Sequence, residues 1–289
     1  MAGKIKRGTI VILLWSVCLS CASGSVQNNT NQEANQADNS VDAVLSRLTE
    51  FTRNLESLQC KVDYKHVQPS IFNTQVLRKG MLYYSRGDDK TVLRVNFETL
   101  QQDDAEPQKY IEQYIVVDGA SIPGKDVKYK GYWLVHMDYD FKTAKYIQIA
   151  PAGEPNKPVD VFDLISKNLP MIGFTKIDKL KSEFEITLPE VKKDESEDII
   201  QVNLKVKPNS VYKNDYVLIE CYIDKKLNLP LRIKAFSTDP GGEPLGKKDY
   251  HELKFIDLKT NVKISKDVFD FNIPDGFDEP EIFPLNEGT

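Results

Sequence analysis

The chain has 289 residues, 40% hydrophobic and 28% charged, with a formal net charge of -5. That is the composition of a globular protein with ample material for a core, and it excludes bulk disorder. Basic residues are interleaved with acids rather than gathered in a patch, which speaks against a nucleic-acid partner.

Lys4, Lys6 and Arg7 precede an apolar run over residues 9–17, and Ser20, Cys21, Ala22, Ser23 and Gly24 follow it. The run is too short to span a bilayer, so residues 1–21 read as a secretory signal peptide. Two ways of cutting it stay open. Leu19-Ser20-Cys21 resembles the end of a bacterial lipoprotein signal, in which Cys21 would take the lipid. The leucine, however, stands two rather than three residues before that cysteine. Ordinary cleavage at Ser20-Cys21-Ala22 would instead release a soluble protein. Residues 22–40 are rich in Asn and Gln and read as a disordered polar tether. Cys60 and Cys221 lie in the globular part, where export permits a disulfide and burial of free thiols is the alternative.

Val41, Val44, Leu45, Leu48, Phe51, Leu55 and Leu58 recur at steps of three and four, which predicts a helix over residues 41–58. Ser40 suits its N-cap and Asp42 the positive end of its dipole. Strand-like segments follow at 58–67 and 73–79. Residues 80–97 then read as a hairpin, with Arg86-Gly87-Asp88-Asp89-Lys90 at the turn. A side-chain period of two places Leu93, Val95 and Phe97 on one face, with Arg94 and Asn96 on the other. Residues 110–117 end in the turn signal Asp118-Gly119, and 122–131 read as an exposed excursion. Segments 132–139 and 144–149 form a further hairpin. No long helix separates these strands, so they join as an antiparallel meander.

A Pro/Gly loop at 151–158 leads to a short helical pattern at 159–168 whose wide apolar face demands a partner. A lid over the open side of a curved sheet would supply one. Strands resume at 184–188, 199–206, 216–223, 231–236 and 250–257, and 267–271 is the last ordered element. One domain over residues 41–289 accounts for the whole.

In this order the elements resemble the LolA/LolB family of bacterial lipoprotein carriers. Gly80-Met81-Leu82-Tyr83-Tyr84-Ser85-Arg86 resembles its G-x-L-aromatic-x-x-R strand, and Val117-Asp118-Gly119 its V-x-D-G turn. Trp133-Leu134 matches the next hairpin, and the stretch from Val268 to Gly276 resembles the closing F-x-F-x-x-P-x-G. The resemblance implies an α+β fold: an incomplete antiparallel β-barrel, with an N-terminal helix and a helical lid over its concave apolar face. It also implies a lid latch at Arg86, although Gly87 follows where the family has proline. The cavity expected on this fold takes Leu82, Tyr84, Leu93, Val95, Phe97, Ile115 and Val117 from the sheet, and Phe162, Ile165, Leu169 and Met171 from the lid.

The expected function is that of an extracytoplasmic carrier or acceptor of lipid or lipoprotein acyl chains in a bacterial envelope. Its partners would be those chains, envelope transport proteins and, through a lipidated Cys21, the membrane; the chain itself would be a monomer. The alternative is a non-transporting sensor or scaffold with a filled core. Nothing points to an enzyme, a cofactor or a metal. His66, His136 and His251 are far apart in sequence, Asp138 and Asp140 flank a hairpin turn, and no nucleophile or phosphate-binding motif appears.

Overall fold

In the computed structural model, helix α1 runs over Val41–Asn54. Its start is set by Ser40, whose backbone is extended and whose hydroxyl accepts from the Ala43 N–H at 3.2 Å. The helix stops before its apolar period does. Leu55 is extended and donates to the Thr52 carbonyl, and Leu58 already belongs to strand β1. The structure describes residues 40–69, 73–87, 91–121, 128–151, 176–189, 196–238 and 249–285. By contacts the chain divides into Met1–Asp38 and Asn39–Thr289. Cys21, and the lid residues Phe162, Ile165, Leu169 and Met171, lie outside the described residues.

The sheet contains β1 (Ser57–Gln68), β2 (Thr74–Arg86), β3 (Thr91–Gln102), β4 (Gln108–Ser121), β5 (Lys128–Asp138) and β6 (Thr143–Ala150). Helix α2 (Ile177–Glu183) follows, then β7 (Phe184–Thr187), β8 (Ile199–Val206), β9 (Tyr216–Asp224), β10 (Leu229–Ser237), β11 (Tyr250–Thr260) and β12 (Glu281–Phe283). These twelve strands form one open, curved sheet in the order β12-β6-β5-β4-β3-β2-β1-β11-β10-β9-β8-β7. Every pairing is antiparallel except β12 on β6.

Several expectations change. Segments 73–79 and 81–84 are one strand, β2, unbroken at Gly80. Asp118-Gly119 is not a turn: β4 continues to Ser121 through a bulge against β5, with Gly119 at φ +74° supplying the left-handed residue. The short elements α2 and β12 carry too little periodicity to be read beforehand. The tip after β5 is as expected, with Asp138 Oδ1 accepting the N–H groups of Asp140 and Phe141 at 3.0 and 3.1 Å.

Directly opposed residues of an antiparallel pair share a face. Cys221 opposes Ile233, Ile233 opposes Leu253, and Leu253 opposes Tyr64, so one continuous inner face runs from β9 to β1. Over β8–β10 that face packs against Val44, Leu45 and Leu48 of α1 and Leu180 of α2. Over β1–β5 it carries Leu58, Cys60, Val62, Leu82, Tyr84, Leu93, Val95, Phe97, Tyr114, Val116 and Leu134.

Ile115 and Val117 are not on this face. Leu93 opposes Val116 and Val95 opposes Tyr114, so Ile115 and Val117 point outward. There they join Trp133, Val135, Met137 and Tyr146 beneath Phe271, Ile273, Phe277 and Ile282 of the C-terminal segment. Arg94, also outward, anchors that segment by donating to the carbonyls of Val268 and Asp270 at 2.8 and 2.7 Å. β4 is apolar on both faces because both faces are covered, and a period of two cannot then tell inside from outside.

Cys60 and Cys221 are free thiols, one beneath β1–β5 and the other beneath β8–β10. Burial pushes each up to about 12.

At Gly80 the β2–β3 register shifts, and a Cβ there would lie 1.7 Å from the Asn96 carbonyl oxygen and 2.8 Å from Phe97 Cα. Both are backbone atoms, so the glycine is required by close approach. Gly80→Ala is expected to destabilise the fold by about 3 kcal/mol or more, the upper part of the overpacking range. Denaturant unfolding checks it, and a loss below about 0.5 kcal/mol would show that β3 moves aside freely.

Candidate functional site

Alternation on five adjacent strands builds the inner field of β1–β5. Leu82 and Tyr84 of β2 oppose Val95 and Leu93 of β3, which oppose Tyr114 and Val116 of β4, and Val116 opposes Leu134 of β5. Leu82, Leu93, Val95, Phe97, Val116 and Leu134 are each 0% exposed. Of α1 only Phe51, with Leu55 just past its end, packs against this field among the described residues; Val41, Val44, Leu45 and Leu48 serve the β8–β10 half.

Arg86 closes one end. Its Nη2 donates to the Thr52 carbonyl at 3.1 Å, its Nη1 to the Arg53 carbonyl, and its Nε to the Tyr84 hydroxyl at 3.1 Å. Thr52 and Arg53 lie in the last turn of α1, where the carbonyls and the negative end of the dipole suit a cation. The expected lid latch therefore holds the N-terminal helix to β2 among the described residues.

The other end is polar, and the sequence reading missed it. Register brings Tyr64 opposite Arg78, His66 opposite His251, Tyr114 opposite His136 and Glu112 opposite Asp138, all on the inner face. Glu112, 3% exposed, is engaged by three donors. Arg78 Nη1 reaches its Oε2 at 2.8 Å, while the Tyr114 hydroxyl and His136 Nε2 each reach its Oε1 at 2.9 Å. Burial pushes this carboxyl up, but the bonds from His136, Arg78 and Tyr114 outweigh it and hold it below its ordinary value. The Arg78 guanidinium carbon lies 5.9 Å and 5.4 Å from the ring centres of Tyr64 and Tyr110. The signal in the sequence was Tyr110-x-Glu112-x-Tyr114-x-Val116, a carboxylate on an otherwise aromatic and apolar alternation.

The histidines are less isolated than their spacing suggests. His66 and His251 stack with ring centres 4.0 Å apart, and Tyr64 Oη is hydrogen-bonded to His251 Nδ1 at 2.8 Å. Burial and the neighbouring His66 lower His251 to about 3; burial and Arg78 lower His66.

Burial and hydrogen bonding act on the ionisable groups all along this face. Glu112 accepts from three donors, and burial raises the thiols of Cys60 and Cys221 and the hydroxyls of Tyr64, Tyr110 and Tyr114. Among the described residues no group of three or more His, Cys, Asp or Glu is placed to hold a metal ion. No described helix is long and apolar enough to cross a membrane.

No protein-family model matches the sequence, and none of the curated proteins matches it. Solved structures do show a likeness. One is a putative outer membrane lipoprotein-sorting protein domain from Vibrio parahaemolyticus: 11% identity over 78% of this chain and 95% of that one, TM-score 0.38. A second is a DUF1329 family protein from Desulfovibrio piger: 11% identity over 80% of this chain and 97% of that one, TM-score 0.41. A third is Pseudomonas aeruginosa MucB in complex with MucA: 15% identity over 79% of this chain and 60% of that one, TM-score 0.38. The present chain thus spans less than two thirds of that neighbour. At these identities and TM-scores none of the three transfers a ligand, a partner or an activity.

Two outcomes follow from the ends of the inner face. A histidine lowered in the fold leaves stability intact above its ordinary value of 6.5 and erodes it as pH falls toward about 3, by at most about 1.4 kcal/mol per pH unit. His251→Phe should therefore lose less stability than the native chain between pH 7 and pH 4 in urea titrations; an equal loss would place the acid sensitivity elsewhere. Arg86→Leu should lower stability by about 1–2 kcal/mol through the end of α1, and an unchanged melting curve would remove that role.

Proposed function

We propose that this chain is an extracytoplasmic binding protein whose inner face takes acyl chains, acting as a carrier or acceptor of lipid or lipoprotein in a bacterial envelope. The observation that supports it most is the apolar inner field of β1–β5, which α1 leaves almost entirely to other coverings among the described residues. Each methylene buried there contributes about 0.8 kcal/mol, so an acyl chain binds without any charged contact. Leu82, Tyr84, Leu93, Val95 and Phe97 line the field in this reading, with Tyr114 and Val116 in the places first given to Ile115 and Val117. Phe162, Ile165, Leu169 and Met171 form the lid, and Arg86 ties β2 to the helix that borders the opening. Since the field is wholly buried, entry requires its covering to move between two states of similar energy. The signal-like N-terminus supports export, and Cys21 would tether the domain by lipid.

That same complete burial supports the second reading, a non-transporting envelope sensor or scaffold with a filled core. Native mass spectrometry with organic extraction of the chain purified from bacterial membranes separates the two. Co-purifying acyl mass, reduced when Phe162 is replaced by Asp, is the expected result. A clean apo mass that takes up neither phospholipid nor lipopeptide would overturn the carrier reading and leave the sensor or scaffold.

A further inference from the structure

The polar end of the inner face contains a donor that the protein does not satisfy. Arg78 Nη1 is spent on Glu112, but the Nε–H of the same guanidinium is buried and has no hydrogen-bond partner among the described residues. An unmet buried donor costs about 1–3 kcal/mol, more when charged. The rings of Tyr64 and Tyr110 flank the guanidinium, and of the Glu112 oxygens Oε2 is taken by Arg78 Nη1 and Oε1 by Tyr114 and His136. This donor borders the apolar field: Phe97 opposes Glu112, and its ring lies 6.0 Å from Tyr64 and 6.3 Å from Tyr114.

Resting on the acyl-chain reading above, we infer that Arg78 Nε–H is the docking point for the carbonyl oxygen of an acyl ester whose hydrocarbon lies along Phe97, Val95 and Leu82. The surrounding charge selects an uncharged acceptor. Glu112 already neutralises Arg78, and Asp138, 9% exposed and opposite Glu112, adds a second carboxylate. A phosphate would meet two carboxylates and one spent cation. An ester carbonyl brings an acceptor without a charge, and its chain continues directly into apolar surface.

The test is a matched pair of ligands: 1,2-dipalmitoylglycerol and its dihexadecyl ether analogue, which lacks the carbonyls. Each displaces N-phenyl-1-naphthylamine from the whole mature protein. The ester is expected to compete about tenfold better than the ether. In Arg78→Lys, which keeps a cation for Glu112 but has no second nitrogen to offer, the ester-to-ether ratio should fall to about one. Arg78→Met, checked for folding by its melting curve, should give the same ratio. Equal competition in the native chain, or a preference that survives in Arg78→Lys, overturns the inference and leaves the acyl-chain reading standing. Phosphatidic acid binding more tightly than diacylglycerol also overturns it, in favour of an anion site. Failure of both ester and ether to bind overturns the acyl-chain reading itself.

Discussion

Burial on both faces of the strands β4 and β5 is the constraint on which the rest of the molecule depends. A β-strand that alternates apolar and polar needs one covering; β4, with Tyr114 and Val116 inward and Ile115 and Val117 outward, needs two. The outer covering is the C-terminal segment, clamped by Arg94 and by the Asp278 N–H on the Lys142 carbonyl at 2.9 Å. Its closing aromatics are therefore packing residues, and β12 extends the edge of the sheet they have reached. The inner covering is divided. α1 and α2 serve the β7–β10 half, while the β1–β5 half is left with a larger apolar field than those helices meet among the described residues.

The inner face is graded along its strands. At one end Arg86 ties β2 to the last carbonyls of α1, joining the border of the field to the helix. In the middle the side chains are wholly apolar. At the other end a buried carboxylate, a guanidinium, tyrosines and paired imidazoles occupy positions that the alternation would otherwise give to leucine or valine. Such a network is costly unless its members satisfy one another. Glu112 is satisfied and Arg78 only partly, so the polar end is both a fixed element of the fold and a place with a donor to spare. The acyl ester proposed for this face would follow that gradient, its hydrocarbon on the apolar middle and its carbonyl at the polar end.

Much of this architecture was legible in the sequence because it follows from local periods. The 3.6-residue stripe of α1 and its Ser40 cap, the alternation of Leu93, Val95 and Phe97, the Asp-rich hairpin tip and the antiparallel meander are all set by residues close in sequence. Gly80 was visible as part of a motif, but its reason was not. The glycine is needed because the backbone of β3 approaches it through a register shift, and that contact exists only once the strands pair.

What the sequence determined by itself is the N-terminal helix, the run of antiparallel strands after it and the apolar supply for a large sheet. What only the tertiary structure decided is which face each residue serves. Ile115 and Val116 are equally apolar, and only the register against Leu93 and the covering by Phe271 and Ile273 separates them. In the same way His66 and His251, or Arg78 and Glu112, become neighbours through strand pairing alone. Local preference is a property of a few consecutive residues, whereas burial, ion pairing and a shifted titration are properties of distant ones brought within a few ångströms. The polar end of the inner face consists entirely of the second kind.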